Sequence, residues 1–322
     1  EVSSNNIYYN LYNSNRYIYT KNDPLIGYYK IKDNIYENRD VLPIIYGTKN
    51  VFNENDFDKL KFPYNMEAMF YNVIIEGSTN NTVSFIEKID NSKVSNFEIV
   101  NDINYRNVDD TFYINNKNSV NYKFNIDGIN KDDIVIISFD VLNDNADRDI
   151  YITINGVKNI LSKRDWKYNN KNTTFKYVLS SGDGIDEFNV SMSKGNFTIN
   201  NINIYKSNYN NLKKYTNSVD KFNFKEIKGD FIKGDINISD DEYLMINIPY
   251  DKGFNIDVDG KGAKYDLVSK SFMGFHINKG HHDIVISYVS PGFRIGKIVS
   301  ILGIILFFTE ICIDKRRKRL SF

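Results

Sequence analysis

Apolar and polar residues alternate along most of this chain with a period of two, which is typical of half-buried β-strands. Between residues 84 and 205 the alternating runs recur about every ten residues, a spacing that indicates an antiparallel sandwich or jelly roll. Asn155-Gly156 lies between two runs and predicts a type I′ hairpin, because both turn positions require positive φ. The clearest runs are Val120–Ile126, Ile134–Phe139, Ile150–Ile154, Thr173–Leu179, Phe188–Met192 and Phe197–Tyr205.

A second, shorter series of runs extends from Phe222 to Tyr288 and predicts a smaller antiparallel β unit. Asp259-Gly260 repeats the hairpin signal of the first series. Pro291-Gly292 then ends the last run immediately before a long apolar segment, so this unit is expected next to that segment. Its strands are predicted at Tyr243–Ile248, Phe254–Val258, Ser271–Ile277 and Asp283–Tyr288.

The N-terminal part of the chain has a mixed pattern. Short aromatic runs between Ile7 and Tyr46 predict two or three strands, and Glu54–Leu60 and Tyr64–Ile75 predict two short helices. Residues Ser207–Tyr215 are predicted to be a linker. The predicted divisions are 1–79 for this strand and helix segment, 80–210 for a sandwich, 219–290 for the smaller domain, 294–313 for a membrane helix and 314–322 for a basic tail.

The apolar segment Ile295–Ile313 predicts a transmembrane helix. At about 1.5 Å per residue it would be roughly 28 Å long, which matches the hydrocarbon core of a bilayer. Because positive charge is retained on the cytoplasmic side, residues 1 to about 293 are expected outside the cell and the C-terminus inside it. The basic residues that set this orientation are Lys315, Arg316, Arg317, Lys318 and Arg319.

One face of the predicted membrane helix carries small residues. Intervals of four, three and seven residues place them on the same side, and this side ends in a carboxylate. Hydrocarbon tails are as apolar as leucine, so small residues favour helix association mainly by allowing close packing, which indicates the last helix of a bundle. The chain opens on Glu1 with no initiator Met or signal segment, and we therefore expect a longer parent whose N-terminal part carries the export signal or further membrane spans, the latter forming an N-terminal transmembrane bundle. The residues of this face are Gly296, Ser300, Gly303 and Glu310.

Composition narrows the classes of function. Forty-one basic residues balance 41 acidic residues, so the chain has no global attraction for nucleic acid. Its single cysteine, Cys312, lies inside the predicted span, which leaves the outer domains without disulfides and dependent on core burial. The partners expected are therefore the lipid bilayer and the remaining helices.

Few side chains predict chemistry, and we predict no catalytic residue, metal ligand or cofactor. Trp166 and Tyr168 lie in a charged loop, and aromatic faces beside polar groups are how proteins hold sugars. An aromatic ring that closes one end of the sandwich is the simpler interpretation of Trp166. The adjacent His281 and His282 project to opposite sides of the chain, which disfavours a metal site.

An oxygen-rich stretch raises the alternative of a Ca²⁺ loop. It lacks the central Gly and terminal Glu of the EF-hand spacing, so a solvated turn is the preferred interpretation. The stretch comprises Asp140, Asn143, Asp144, Asn145, Asp147 and Asp149.

Four segments toward the two ends of the chain carry a resemblance to a known family: Ile35–Gly47, Pro249–Lys261, Gly280–Tyr288 and Pro291–Ser300. They resemble the C-terminal part of the YfhO family of bacterial multi-spanning membrane proteins, whereas the central series of strands shows only a general β pattern. The fold expected is mainly β, with two extracellular antiparallel sandwich or jelly-roll units, a short helical segment and one C-terminal transmembrane helix.

The resemblance implies a parent with the architecture of a C-type glycosyltransferase, which transfers sugars from a lipid-linked donor to envelope polymers such as teichoic acid. In such enzymes the catalytic carboxylate lies in an early extracellular loop that this sequence lacks, so the chain is expected to be the non-catalytic extracellular region. Envelope polysaccharide or teichoic acid is then the expected ligand. The alternative is a cell-surface glycan-binding protein or adhesin anchored by its C-terminus. Ser290-Pro-Gly-Phe-Arg294 departs from the Leu-Pro-x-Thr-Gly motif of sortase-anchored proteins.

Overall fold

The computed structural model describes residues 5–77, 84–99 and 105–320. The chain forms two compact units, with unit 1 comprising Glu1–Ile44 and Asn50–Val219, and unit 2 comprising Ile45–Lys49 and Asp220–Phe322. Antiparallel sheets dominate, helices are few, and the last element is an apolar helix. The predicted mainly β class is confirmed, whereas the predicted domain divisions stay predictions.

The helices are α1 (Ile7–Tyr12), α2 (Glu54–Phe57), α3 (Tyr64–Tyr71), α4 (Tyr209–Ser218) and α5 (Phe293–Leu320). The predictions for α2 and α3 are confirmed, although both helices end earlier than expected. The linker prediction for residues 207–215 is wrong, because α4 begins here. The Asn208 side chain accepts a hydrogen bond from the Asn210 N–H and caps this helix, and Leu212 is fully buried on its inner face.

The strands follow the predicted runs closely, and several coincide with them at both ends. In chain order they are β1 (Tyr17–Tyr19), β2 (Tyr29–Lys32), β3 (Ile35–Glu37), β4 (Ile45–Thr48), β5 (Val51–Asn53), β6 (Val73–Ile75), β7 (Glu87–Ile89), β8 (Val94–Ile99), β9 (Tyr105–Val108), β10 (Thr111–Asn116), β11 (Val120–Ile126), β12 (Asp133–Asn143), β13 (Ile150–Ile154), β14 (Val157–Leu161), β15 (Thr174–Leu179), β16 (Phe188–Met192) and β17 (Gly195–Asn208). They continue as β18 (Asp220–Lys221), β19 (Asn223–Lys228), β20 (Phe231–Ile238), β21 (Glu242–Pro249), β22 (Phe254–Val258), β23 (Lys261–Ala263), β24 (Asp266–Val268), β25 (Phe272–Ile277) and β26 (Gly280–Tyr288).

Unit 1 is built on two antiparallel sheets that share one apolar core. One sheet has the order β15-β12-β17-β10-β9, with β7 also paired to β17, and the other has the order β14-β13-β16-β11-β8. Alternate residues of both sheets point into the core, where Phe124 and Phe188 stack with ring centroids 4.9 Å apart. The hairpin prediction at β13–β14 is confirmed, since Asn155 and Gly156 have φ of 44° and 80°.

The N-terminal segment of unit 1 packs on this sandwich through aromatic side chains. Tyr8 of α1 donates a hydrogen bond to Ser207 Oγ (2.9 Å), and its ring meets Phe70 edge-on at 5.4 Å. Tyr209 of α4 hydrogen-bonds the side chain of Asn38, which follows β3. These contacts fix a small antiparallel sheet of order β1-β3-β2 against the rest of the unit.

Unit 2 contains two five-stranded antiparallel sheets around a separate core. Their orders are β18-β4-β21-β25-β24 and β19-β20-β26-β22-β23. Strand β4 comes from far earlier in the chain and pairs with both β18 and β21, so the N-terminal part contributes Ile45 to this core. The Asp259-Gly260 hairpin is confirmed by φ of 53° and 78°.

Helix α5 follows β26 after four residues and is the membrane helix candidate of the structure. Its stretch Phe293–Ile313 is long and apolar enough to cross a bilayer and is not buried against other described residues. An unburied apolar helix of 21 residues would expose a large apolar surface to water. Its length and composition instead match the hydrocarbon core of a lipid bilayer.

Candidate functional site

A polar cleft of about 950 Å³ lies in unit 1 between the small N-terminal sheet and one end of the sandwich. The N-terminal wall comprises β1 and the residues that follow it, up to Leu25. The opposite wall comprises the β13–β14 hairpin, the end of β15 and the loop that leads into β16. The cleft is therefore assembled from segments that are far apart in the sequence.

Backbone and side-chain hydrogen bonds hold these walls in place. The Gly182 N–H donates to Pro24 O (2.9 Å) and ties the loop after β15 to the N-terminal segment. On the sandwich side, the Asn155 N–H donates to Asn189 O (2.9 Å). The Asn155 side chain adds two bonds, because its Oδ1 accepts from the Asn189 N–H (2.7 Å) and its Nδ2 donates to Glu187 O (3.3 Å). Because both walls are fixed by the main chain, the cleft has a defined width before any ligand enters.

Tyr17 and Tyr19 are the aromatic side chains of the cleft. They are two residues apart on β1, so they share one face of the strand, and they are 56% and 66% exposed. The Tyr17 hydroxyl donates to Glu37 Oε1 (3.3 Å), and the Arg16 guanidinium contacts the same oxygen at 2.6 Å. This network anchors the phenol, and the Arg16 guanidinium also lies over the Tyr17 ring, 5.6 Å from its centroid, which leaves the other ring face for stacking.

Glu37 is the charged centre of that anchor. It is only 8% exposed and also pairs with Arg39 at 3.1 Å. The hydrogen bond from the Arg16 guanidinium, assisted by Arg39, holds the pKa of the Glu37 carboxyl below its usual range. The carboxylate therefore stays ionised at neutral pH and accepts the hydrogen bond from the Tyr17 hydroxyl.

The remaining lining of the cleft is rich in amides and hydroxyls, with more acidic than basic groups. Lys21 is accompanied by Asp23, Asp186 and Glu187, the last of which also pairs with Lys123 at 2.8 Å. Ser180 Oγ is buried at the cleft wall and has no hydrogen-bond partner among the described residues. A ligand with many hydroxyl groups and no negative charge matches this lining.

The predicted pair Trp166 and Tyr168 lies elsewhere in unit 1. Both belong to the loop after β14, whereas the cleft is bounded by the hairpin before β14, at the opposite end of that strand. Their side chains are 44% and 72% exposed, and their rings meet edge-on at 6.4 Å. Because Trp166 is nearly half exposed, its ring is not part of the sandwich core.

Cations surround this second aromatic surface. Lys163 Nζ lies 6.0 Å from the Trp166 ring, and Lys167 Nζ lies 5.7 Å from the Tyr168 ring. Arg164 forms an ion pair with Asp165 at 3.0 Å. The surface thus combines two exposed rings with lysines beside their faces, and acidic groups of the neighbouring stretch lie close to its cations.

The oxygen-rich stretch, residues 140–149, is hydrogen-bonded to the backbone of this loop. Asp149 Oδ1 accepts the Lys163 N–H (2.8 Å), and Asn145 O accepts the Arg164 N–H (2.9 Å). Asn143 Nδ2 donates to the carbonyl oxygen of Ser162 (3.1 Å). Groups proposed from sequence for a turn or for Ca²⁺ therefore contribute to the position of Trp166, and no cluster suited to a metal occurs among the residues that the structure describes.

The adjacent histidines occupy an exposed part of unit 2 on β26. His281 Nδ1 lies 2.7 Å from Asn237 Oδ1, and His282 Nδ1 lies 2.7 Å from Asp259 Oδ2. Each ring has its own partner because successive residues of a strand point to opposite faces. The interaction with His282 lowers the pKa of Asp259 and links β26 to the neighbouring hairpin.

The predicted small-residue face lies on α5, where it is not covered by any described part of unit 2. Gly296, Ser300, Gly303 and Glu310 all fall within the unburied stretch Phe293–Ile313. A methyl group added at Gly296 or Gly303 would meet no other atom within 4 Å. This face is therefore free to pack against another helix, and its role in packing stays a prediction.

Comparisons with known proteins place these features in a family. A family model described as bacterial membrane protein YfhO matches residues 5–300. The protein named "Uncharacterized protein YfhO" of Bacillus subtilis (strain 168) is 25% identical over 289 residues, covering 84% of this chain and 31% of that protein. The chain thus spans less than a third of the length of this relative.

Two solved structures are similar to this chain only at a low level. A cupin 2 conserved barrel domain protein from Leptotrichia buccalis is 11% identical and covers 57% of this chain and 91% of its own, with a TM-score of 0.14. A cycloisomaltooligosaccharide glucanotransferase from Paenibacillus sp., complexed with cycloisomaltoheptaose, is 6% identical and covers 63% and 46%, with a TM-score of 0.19. Scores this low carry no argument about function.

The sheets and the apolar helix define a mainly β protein with a C-terminal helix suited to a bilayer. The chain belongs to the YfhO family of bacterial membrane proteins, as the segments at its two ends indicated. The sequence did not identify the cleft. The only local signal for it was the alternation Arg16-Tyr-Ile-Tyr19, which exposes two aromatic rings on one strand face.

Proposed function

We propose that this chain is the extracellular, non-catalytic region of a membrane glycosyltransferase of the C-type and that it binds the acceptor glycan of the cell envelope. In this proposal the C-terminus is cytoplasmic and residues 1 to about 293 are outside the cell. The sugar-transfer chemistry belongs to a membrane bundle encoded upstream of this sequence. Residues of unit 1 position the polymer that receives the sugar.

The observation that carries the proposal is the cleft of unit 1. Sugars are held by aromatic rings that cover their C–H faces and by fixed amides and hydroxyls that pair with their hydroxyl groups. Tyr17 and Tyr19 provide such rings, and the Asn, Ser and Thr side chains of the lining provide the polar groups. The fixed main-chain contacts of both walls reduce the entropy lost when a flexible glycan binds.

Trp166 and Tyr168 provide a second contact for the same polymer in this proposal. Envelope glycopolymers such as teichoic acid carry phosphate groups, which suit the lysines around these rings rather than the acidic cleft. The two surfaces would then bind chemically different parts of one acceptor.

The direct test is glycan binding by the purified chain in lipid nanodiscs. Calorimetric titration with neutral oligosaccharides and with poly(glycerol phosphate) should give binding of both classes. Binding of neither class would overturn the proposal. The same preparation, supplied with a lipid-linked sugar and an envelope polymer, should give no transfer, and measurable transfer would show that the chain contains its own catalytic site.

The membrane helix gives a separate test of the bundle. Because Gly303 belongs to the small-residue face, Gly303→Leu in the full-length parent should reduce assembly or abundance far more than Ile304→Leu on a neighbouring face. Membrane expression and co-purification of the parent measure this effect. Equal tolerance of the two substitutions would favour the alternative, a C-terminally anchored surface adhesin with a single span.

A further inference from the structure

One end of unit 2 is fixed next to the start of the membrane helix by main-chain hydrogen bonds. The Tyr288 N–H donates to Asp230 O at the tip of the β19–β20 hairpin (2.9 Å). The next N–H, of Val289, donates to Gly253 O in the loop before β22 (2.9 Å). These two segments, residues 227–230 and 250–254, together with Tyr288, form the membrane-proximal edge of unit 2.

The link between this edge and the bilayer is short. Four residues separate Tyr288 from Phe293, the first residue of α5. The Phe293 N–H donates to Ser290 O (3.0 Å), so the link includes a turn and does not extend fully. The hairpin tip and the loop, which are level with Tyr288 and Val289, therefore lie close to the depth at which the apolar helix begins.

The loop on this edge is held tightly against β26. A methyl group built on Gly253 would lie 2.5 Å from Val289 O and 2.7 Å from the Tyr288 ring. Only glycine allows this close approach. The hydrogen bond from the Val289 N–H to Gly253 O also holds the loop against the end of β26. The edge is therefore a fixed part of the unit and not a mobile loop.

Aromatic side chains close the core of unit 2 at this edge. Phe254 and Tyr288 pair with ring centroids 4.7 Å apart, and Tyr250 pairs with Tyr265 at 5.7 Å. All four rings are half-buried, and Tyr250, Phe254 and Tyr265 pack against the core. These rings make the end of the unit nearest α5 a packed surface.

Ile227 adds an apolar group that the protein core leaves uncovered. The register places Ile227 in one row with Ile232, Ile286 and Ile256, which all point to the same face of the sheet. Ile256 and Ile286 are buried in the core, whereas Ile227 at the outer end of the row is 64% exposed. An apolar side chain in this position gains free energy if another apolar phase covers it.

We propose that the membrane-proximal edge rests on phospholipid headgroups and that this contact holds unit 2 upright on the bilayer. Lys252 and Arg294 are exposed near the edge and form no ion pair among the described residues, so they are available to headgroup phosphates. Asp230 of the same edge offsets part of this positive charge. The occupant is therefore identified by the exposed Ile227 and by continuity with the span, rather than by electrostatic attraction.

The test measures the distance of two labels from the lipid headgroups. The full chain carries Cys312→Ser, which removes its only thiol, together with Asp230→Cys at the hairpin tip or Lys279→Cys at the distal end of β26. Both positions are exposed, and each variant is labelled with the same fluorophore and reconstituted into phosphatidylcholine and phosphatidylglycerol vesicles that contain a headgroup spin label. Circular dichroism checks that both variants retain the fold.

The label at position 230 should be quenched at least about twofold, because a headgroup layer is only about 5–8 Å thick and the edge lies next to it. The label at position 279 should be quenched little, since it lies nine residues before Tyr288, roughly 30 Å farther along at about 3.3 Å per residue. Equal quenching at both positions would mean that the unit lies flat on the bilayer. Absence of quenching at position 230 would mean that the unit stands away from it, and either result overturns the proposal.

Discussion

The cleft and the Trp166 loop of unit 1 both expose aromatic rings, yet they are built in different ways. Tyr17 is anchored through its hydroxyl to a carboxylate that two arginines hold in place. Trp166 is positioned mainly by the backbone of its loop, with lysines above the rings and no hydrogen bond from the indole to another described residue. The first surface is anchored and lined mainly by acidic groups, and the second is open and has lysines beside its rings.

This difference indicates how one unit could distinguish two parts of a glycopolymer. A rigid ring loses little entropy on binding, so the cleft is suited to a defined neutral sugar. Cations on flexible stems bind a charged chain with less demand for geometry, and their contribution falls with ionic strength. Binding experiments that vary charge and salt therefore separate the two surfaces.

The largest effect is expected from removal of both cleft tyrosines. Tyr17→Ala with Tyr19→Ala should weaken binding of a neutral oligosaccharide by about 2 kcal/mol or more, roughly 30-fold, because both stacking faces are lost. Calorimetric titration gives this value. Tyr113→Ala is the matched control, since Tyr113 is also exposed in unit 1 but does not line the cleft. A control variant that binds as weakly as the double variant would remove the cleft from consideration.

A smaller effect is expected at the second surface. Trp166→Ala should weaken binding of poly(glycerol phosphate) by about 1 to 2 kcal/mol and leave binding of a neutral oligosaccharide unchanged. The fluorescence of Trp166, the single tryptophan, should change as the anionic polymer is added, and added salt should reverse that change. Loss of stability in the variant with unchanged affinity would instead support a structural role for Trp166.

Much of the fold was predictable because it depends on local signals. Alternation defined β11, β13, β16 and β22 at both ends, and Asn-Gly and Asp-Gly defined two hairpins through their positive φ. Helix α4 was missed because its sequence is rich in Asn, Lys and Tyr, and its stability comes from burial of one face rather than from helix propensity. Its buried residues Tyr209, Leu212 and Tyr215 do recur at helical spacing after the capping Asn208, and this is the signal that could have predicted it.

The cleft was not predictable from such local signals. Its walls meet only because Gly182 bonds to Pro24 and because α1 and α4 pack the N-terminal segment onto the sandwich. These are contacts between residues more than 150 positions apart, and nothing in the local sequence specifies them. Trp166, in contrast, was noticed because it is the single tryptophan, although its separation from the cleft could be seen only in the structure.

The smallest effect is expected from protonation of Glu37. It tests whether the hydrogen bond from Tyr17 to Glu37 is what distinguishes the cleft from the Trp166 loop. Arg16 and Arg39 lower the pKa of Glu37 in the folded chain below the value of about 4.3 for a free glutamate. A carboxyl group with a depressed pKa contributes stability above its unfolded pKa, and that contribution is lost as the pH falls through the folded pKa. The anchor should therefore be intact from pH 7 to about pH 5 and weaken below about pH 4.

Affinity of the cleft for a neutral oligosaccharide should fall roughly two- to fivefold over that acidic range, because an anchor made of partly exposed ion pairs has a modest strength. Glu37→Gln is the matched variant, since it keeps an oxygen that can accept the Tyr17 hydroxyl proton but loses the charge. It should bind more weakly than the unsubstituted chain at pH 7 and lose the part of the acid response that Glu37 supplies, while its cleft keeps the same walls. Identical pH profiles for the two proteins would show that Tyr17 does not depend on its anchor, and would remove the distinction between an anchored cleft and an open loop.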